Sequence, residues 1–278
     1  MQDMDANLCH AVTVNEVTQL TDTRSGNYTY YIAKLKDDKC WMVQNLRLGA
    51  NQTFNTGTLT LTPSDSNISS NWVLTDRRND NTDSPVMPYT VRTDDAIVGI
   101  GTNVYVEDLS RYDGKAFFCP FSGAKTENNY VGCYYNWFTA TAGTGKGAGD
   151  DATPANTDAT SSICPKGWYL PKGGTAASGS NDFQNLYLEY PSVIDMLVPG
   201  ITTTDNTSGQ PKPGLTLNGL YYSSGASGIG IKNYYWSRTA YSIGLTYGLT
   251  STDSVVSPVT SNLGKYYGMS VRCLAYGS

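Results

Sequence analysis

The sequence predicts an α+β fold. Strand-like segments come first, one well-signalled helix follows, and strand-like segments return, an order unlike the regular alternation of a wound α/β fold. The 278 residues hold six cysteines, an even count that points to an oxidising exterior and a cross-linked scaffold. Charged residues make up 15% of the chain, against about 25% in an average domain. Ser, Thr, Asn, Gly and 21 Tyr fill the gap, so the chain can build a core while its polar share stays uncharged. No period of 20–50 residues repeats, which argues against a solenoid or propeller.

Residues 15–48 read as strands. Tyr28 to Leu35 is β-prone and partly alternating, Lys36-Asp37-Asp38-Lys39 is a turn, and Cys40 to Val43 returns as the second arm of a hairpin. Residues 50–100 read as a long Thr/Ser/Asn/Asp-rich excursion with short strands such as Thr58 to Leu61, and residues 141–163 as a surface loop. The clearest helix runs from Asn181 to Leu188. Asn181 is its cap, Gln184 stands three residues later, and Phe183, Leu186 and Tyr187 share a face. Pro191 stops it, because proline lacks the N–H and disfavours helix at the residue before. A second short helix is expected around Val193, Ile194, Met196 and Leu197. Strands are then expected at 220–222, 234–237, 245–249 and 269–274, separated by Gly, Ser and Asn turns.

Several function classes are excluded or weakened. The net charge of −5 (19 basic against 24 acidic residues) argues against a general phosphate-neutralising surface, so no nucleic-acid partner is expected. No uncharged apolar run approaches the roughly 18 residues of a membrane helix, so no membrane insertion is expected in this segment. The start has early acids and neither a basic nor an apolar signal region, so the chain is read as a processed form or a piece of a longer protein. His10 is the single histidine and adjoins Cys9, a poor basis for a Ser–His–Asp or Cys–His machine, so the chain is read as no enzyme. The run Gly143 to Gly149 fails as a phosphate loop because Lys146 is followed by Gly147. No Cys-x-x-Cys pair supports a zinc or thioredoxin-type site. Loop aspartates, Asp150 and Asp151 with Asp158 or Asp76 and Asp80 with Asp83, are better read as solvated than as calcium ligands; no metal and no cofactor are expected. Six thiols allow fifteen pairings, and the spacing alone does not choose among them.

Five segments carry a resemblance. Cys40-Trp41-Met42-Val43-Gln44-Asn45-Leu46-Arg47-Leu48-Gly49 resembles the WM-x-x-NL signature of the Fibrobacter succinogenes major paralogous domain. Gly132-Cys133-Tyr134-Tyr135-Asn136-Trp137 is similar to its Y-N-W segment, and Cys164-Pro165-Lys166-Gly167-Trp168-Tyr169-Leu170-Pro171 to its CP-x-GW-x-LP segment. Tyr235-Trp236-Ser237-Arg238-Thr239 resembles its YWSST segment, with Arg238 where the family usually has a small polar residue. Tyr267-Gly268-Met269-Ser270-Val271-Arg272-Cys273 resembles its G-x-SVRC end. The ordered matches span residues 40–273.

The resemblance implies a C-type-lectin-like fold. Short helices would pack on small antiparallel sheets, with the first and last strands adjacent, as one domain over 1–278 (hairpin and excursion 1–105, lectin-like core 106–278). In it Trp41, Trp137, Trp168 and Trp236 are core residues, and Asn45 and Asn136 buried hydrogen-bonding ones. The preferred disulfides are Cys9–Cys40, Cys119–Cys133 and Cys164–Cys273, and the closure of the fold is what would bring the last two together. The EPN or QPD and WND tripeptides of calcium-dependent sugar-binding lectins are absent; Gln210-Pro211-Lys212 puts a cation where a carboxylate is needed. The fold is shared with formylglycine-generating enzymes, which need a late cysteine pair, but only Cys273 lies in the last hundred residues.

The expected function rests on the C-terminal stretch. Tyr221, Tyr222, Tyr234, Tyr235, Tyr241, Tyr247, Tyr266 and Tyr267 stand among Ser, Asn, Gly and Thr, a paratope-like composition in which rigid amphipathic rings lie among adaptable polar groups. The candidate ligand-binding residues are Tyr234, Arg238, Tyr241, Tyr247, Asp253, Lys265 and Tyr266, most of them expected to be exposed. Some proteins of this kind are targets of diversity-generating retroelements, which vary this stretch. The expectation is an extracellular or cell-surface recognition and adhesion domain whose partner is a protein or glycan on another cell. The alternative is a structural subunit or tip module of a bacterial surface filament or layer.

Overall fold

The N-terminal hairpin buries the end of its first arm and all of its second, and the elements follow from there in the computed structural model. It describes residues 1, 6–14, 17–24, 27–48, 58–75, 96–99, 102–105, 117–118, 132–145, 155–176, 181–191, 196, 215–222, 225–229, 231–242, 244–265 and 267–275. The first elements are α1 (Ala6–Ala11), β1 (Val17–Asp22), β2 (Tyr28–Lys34), β3 (Cys40–Met42), β4 (Thr58–Leu61) and β5 (Trp72–Thr75). Next come β6 (Ala96–Gly99), β7 (Thr102–Tyr105), β8 (Phe117–Phe118), β9 (Tyr134–Tyr135), α2 (Trp137–Ala140) and α3 (Asp182–Glu189). The C-terminal part holds β10 (Asn218–Tyr222), β11 (Gly225–Ile229), β12 (Lys232–Ala240), β13 (Leu245–Thr252), β14 (Val256–Gly264), β15 (Met269–Ser270) and β16 (Leu274–Ala275). Small, mostly antiparallel sheets with few helices make this an α+β arrangement, as the element order predicts.

The hairpin forms where it is expected, with Ile32 opposite Met42 and Lys34 opposite Cys40. It belongs to a sheet of order β1-β2-β3-β16. The last strand therefore lies against the third, not the first. The second sheet runs β11-β10-β12-β15-β9-β8, with β13 and β14 added on the other side of β12. Helix α3 begins as its sequence dictates: the Asn181 side chain accepts from the Gln184 backbone N–H at 3.2 Å. Of the expected second helix only Met196 is described, and it is helical and buried. Strands β7, β8, β9, β11 and β14 and the short helices α1 and α2 have no counterpart in the sequence reading. Asn136 caps α2, accepting from Thr139 N–H at 2.8 Å.

The excursion is docked rather than free over residues 58–75. Ser66 bridges to Pro165, and Asn67 N–H donates to the Cys164 carbonyl at 2.9 Å. Arg24 clamps the same place, bonded to Asp22 at 2.6 Å, to Ser66 Oγ at 3.0 Å and to the Ile163 carbonyl at 2.8 Å.

Residues 269–275 join the two sheets. Ser270 pairs with Tyr235 on one side and Tyr134 on the other. Val271 and Cys273 carbonyls accept from Leu46 and Met42 N–H groups at 2.9 and 3.0 Å. Leu274 then pairs with Trp41 and exchanges two hydrogen bonds with Tyr169. Cys9–Cys40 and Cys164–Cys273 are disulfides. Cys133 is also disulfide-bonded, but the proposed partner Cys119 lies outside the described residues. Trp41, Trp137, Trp168 and Trp236 are all buried, as are Asn45 and Asn136.

The Cys164–Cys273 bridge closes a separation of 109 residues. In the chain-entropy model such a bridge stabilises by about 4–5 kcal/mol. Replacing both cysteines by alanine is expected to lower the unfolding free energy by about that amount in urea titrations. A change under about 1 kcal/mol would show that β16 holds its place without the bridge.

Candidate functional site

The loop-bearing end of β12 gathers most of the side chains that could meet a ligand. Two irregular segments flank it. On one side Asn156 N–H donates to Ala240 O at 2.7 Å and Ala159 N–H to Arg238 O at 2.8 Å. On the other, Arg238 N–H donates to Pro171 O at 2.8 Å and Gly173 N–H to Thr239 Oγ1 at 2.9 Å. Gly173 is required by proximity: a Cβ there would lie 2.3 Å from Ser237 Oγ and 2.6 Å from Tyr247 Cβ.

This end presents an aromatic group beside a small charge cluster. Tyr241 is 40% exposed. Its ring meets Tyr247 nearly edge-on, with centroids 5.2 Å apart. Asp158 Oδ1 accepts from Thr239 Oγ1 at 2.6 Å, while Oδ2 lies 3.6 Å from both Lys172 Nζ and Arg238 Nε. All three charged side chains are partly exposed. At that separation the ion pairs are looser than hydrogen bonds, and surface pairs contribute about 0–1 kcal/mol. Their effect is to present two cationic groups and a carboxylate at the same end of β12 as Tyr241. Such groups hold a polar ligand by stacking and charge-assisted hydrogen bonds.

Three of the seven candidates come together here, Arg238, Tyr241 and Tyr247, and only the first two reach solvent. Tyr247 corrects the expectation of exposure. It is 3% exposed because its ring lies beneath Tyr241 and its hydroxyl donates to Asn156 Oδ1 at 3.1 Å. Burial, with Tyr241 beside it, pushes its phenol pKa up. Lys265 is a second correction, 2% exposed. Its ammonium lies over the Trp137 ring, 4.5 Å from the centroid, with no hydrogen-bond partner among the described residues. Asp253 is exposed but belongs to the other end of the hairpin, next to Thr252, which pairs with Lys232. The length of β12 puts it roughly 25 Å from Tyr241. Tyr234 is half-buried, its N–H bonded to Asn218 Oδ1, and burial beside Tyr267 raises its pKa. Tyr266 lies outside the described residues, as does Tyr222's side chain. Tyr221 and Tyr235 are buried, so among the described residues the expected broad tyrosine face shows Tyr241 exposed and Tyr234 and Tyr267 partly buried.

Sequence reasoning did not place Asn156 or Lys172 in the patch, and it considered Asp158 only as a calcium ligand. The pairing of Asp158 with Thr239 joins segments 81 residues apart and leaves no local signature. Two cations now flank that carboxylate, an unsuitable setting for calcium. Asp76, Asp80, Asp83, Asp150 and Asp151 lie outside the described residues. Among the described residues no three His, Cys, Asp or Glu side chains gather as a metal site.

Burial holds Lys265 down to about 8, from an ordinary value of 10.5. Between those pH values the unfolded chain binds the proton and the folded one releases it, so stability rises with pH. Above about pH 10 the buried phenols oppose it, because burial raises the pKa of Tyr30, Tyr134 and Tyr135 and only the unfolded chain ionises there. Lys265→Met is expected to stabilise the protein at pH 7 by roughly 2–3 kcal/mol, less what the Trp137 contact contributes. It should also flatten the rise between pH 8 and 10 in urea titrations. A destabilised variant would mean that the ammonium has a favourable partner. Comparison of the chain with protein-family models, curated proteins and solved structures finds no match.

Proposed function

We propose that this chain is an extracellular recognition domain with a C-type-lectin-like fold, related to the Fibrobacter succinogenes major paralogous domain. It binds a protein or glycan on another cell through the patch at the end of β12. The observation that carries the reading is the exposed Tyr241 ring beside Arg238, Lys172 and Asp158, on a scaffold closed by disulfides. The five motif segments support the family assignment by their roles. Their tryptophans fill the core, Asn136 caps α2, Asn45 and Arg272 bond each other, and Cys164 and Cys273 cross-link. Binding residues sit disproportionately on loops held by a rigid scaffold, and the patch is built from loops 155–159 and 171–173 and the β12–β13 turn. No covalent step is needed: a rigid aromatic ring with polar neighbours supplies hot-spot contact.

The test is a glycan array and a cell-surface pull-down with wild type, a Tyr241→Ala/Arg238→Gln double variant, and Asp253→Ala from the opposite end. Wild type and Asp253→Ala are expected to be captured alike, and the double variant to lose at least about tenfold in affinity. Equal capture of all three would remove the patch from the function. Polymerisation of the pure protein with Tyr241 buried between copies would favour a structural subunit instead.

A further inference from the structure

The turn between β2 and β3 sets one carboxylate and one amine against the acidic first residue of α3. Lys39 Nζ lies 2.9 Å from Asp182 Oδ1 and 3.9 Å from Asp37 Oδ2. Both carboxylates are nearly enclosed, and the lysine keeps only slight exposure. Trp41 Nε1 holds Asp37 in place, donating to its two oxygens at 3.1 and 2.9 Å. The Lys172 backbone N–H donates to the other oxygen of Asp182 at 2.6 Å. Trp41 and Phe183, whose rings lie 6.0 Å apart, belong to the buried apolar cluster around this place.

We propose that Lys39 and Asp182 become joined by an intramolecular amide after folding, with Asp37 as the proton carrier. In water an ammonium and a carboxylate stay ionised and do not condense. Attack needs the free amine and the neutral acid, so the step begins when a proton moves from Lys39 Nζ to Asp182 Oδ1 across their 2.9 Å contact. The Lys39 nitrogen attacks Cγ of Asp182, and the C–N bond forms as the C=O bond opens. The backbone N–H of Lys172 holds the resulting oxyanion at Oδ2, the arrangement that stabilises such an intermediate. Asp37 takes a proton from the nitrogen and delivers it to Oδ1. The Cγ–Oδ1 bond breaks, the carbonyl reforms and water leaves. One ammonium and one carboxylate give one amide and one water, with no change of oxidation state and no co-reactant.

Two further features fit this role. Burial, with the charge of Asp182 nearby, pushes the Asp37 carboxyl up to about 6, the range in which it both accepts and returns a proton near neutral pH. The reacting groups are also fixed at contact distance, a placement worth an effective concentration on the order of 10⁵ M or more. The amide would tie the hairpin to α3 across 143 residues by a bond that no reductant opens.

Intact-mass measurement on the full chain tests this. Wild type is expected to be lighter by one water than the disulfide-bonded chain. After reduction and proteolysis, the fragment carrying Lys39 should remain attached to the one carrying Asp182. Lys39→Arg keeps a cation beside Asp182 and should show the full mass. Asp37→Asn still accepts from Trp41 and should form the link roughly a hundredfold more slowly. Wild type at full mass after prolonged incubation at neutral pH would overturn the proposal. So would a water loss with the two fragments separate, as a succinimide at Asp113-Gly114 would give. An unslowed Asp37→Asn variant would remove Asp37 from the chemistry.

Discussion

The fold depends on the placement of residues 269–275 between two sheets. This segment pairs with β12 and β9, accepts hydrogen bonds from the Leu46 and Met42 N–H groups, and then becomes the fourth strand beside β3. Few of its neighbours in space are neighbours in sequence, so its place is reached only when the hairpin, α2 and β12 are already near their final positions. Loop closure over such distances is costly before the contacts form. The Cys164–Cys273 bridge acts on that cost by limiting how far the segment can stray when the chain opens.

Arg272 shows why this seam is specific. Its side chain is fully buried, donates to Asn45 Oδ1 at 2.6 Å and faces the Tyr235 ring 5.2 Å away. Asn45 passes the network to Thr216 at 3.2 Å, and Thr216 N–H donates to the Tyr235 hydroxyl at 3.0 Å. A buried cation without these partners would be strongly destabilising, so alternative registers of the terminal segment are disfavoured by more than lost packing. The Asn of one motif, the Tyr of another and the Arg of a third are thereby one interaction, although 227 residues separate Asn45 from Arg272.

Local chemistry made part of this legible. The hairpin at 28–43 and the cap at Asn181 are written in neighbouring residues, and both form as read. The tyrosine surface was not legible, because tyrosine is both a core residue and a contact residue. Composition records how many rings there are, not which way each points. Within β12 and β13 the decision is made by pairing and by loops that arrive from elsewhere. Tyr247 is covered by Tyr241 and bonded to Asn156, and Lys265 is turned onto Trp137. Asn156 and Trp137 are both far away in sequence. Strands β11 and β14 were missed for a related reason: Ser, Gly, Asn and Pro weaken their local pattern, and their partner strands supply the order.

The charges complete the picture. A chain with so few ionisable residues would be expected to keep them on its surface, where they cost nothing to hydrate. Here several sit inside: Asp22 with Arg24, Lys39 with Asp37 and Asp182, and Arg272 with Asn45. Each joins segments that apolar packing alone would leave free to slide, since apolar contacts are nondirectional and these are not. The partly exposed Asp158, Arg238 and Lys172 have no such burden, because their ion pairs are loose and wet. A loose cluster that exchanges partners at little cost, on a backbone fixed by four strand-to-loop hydrogen bonds, suits an exchangeable ligand. The enclosed Lys39 cluster suits a permanent connection. Lysine and aspartate thus stand in both clusters, and solvent access is what separates the loose arrangement from the fixed one.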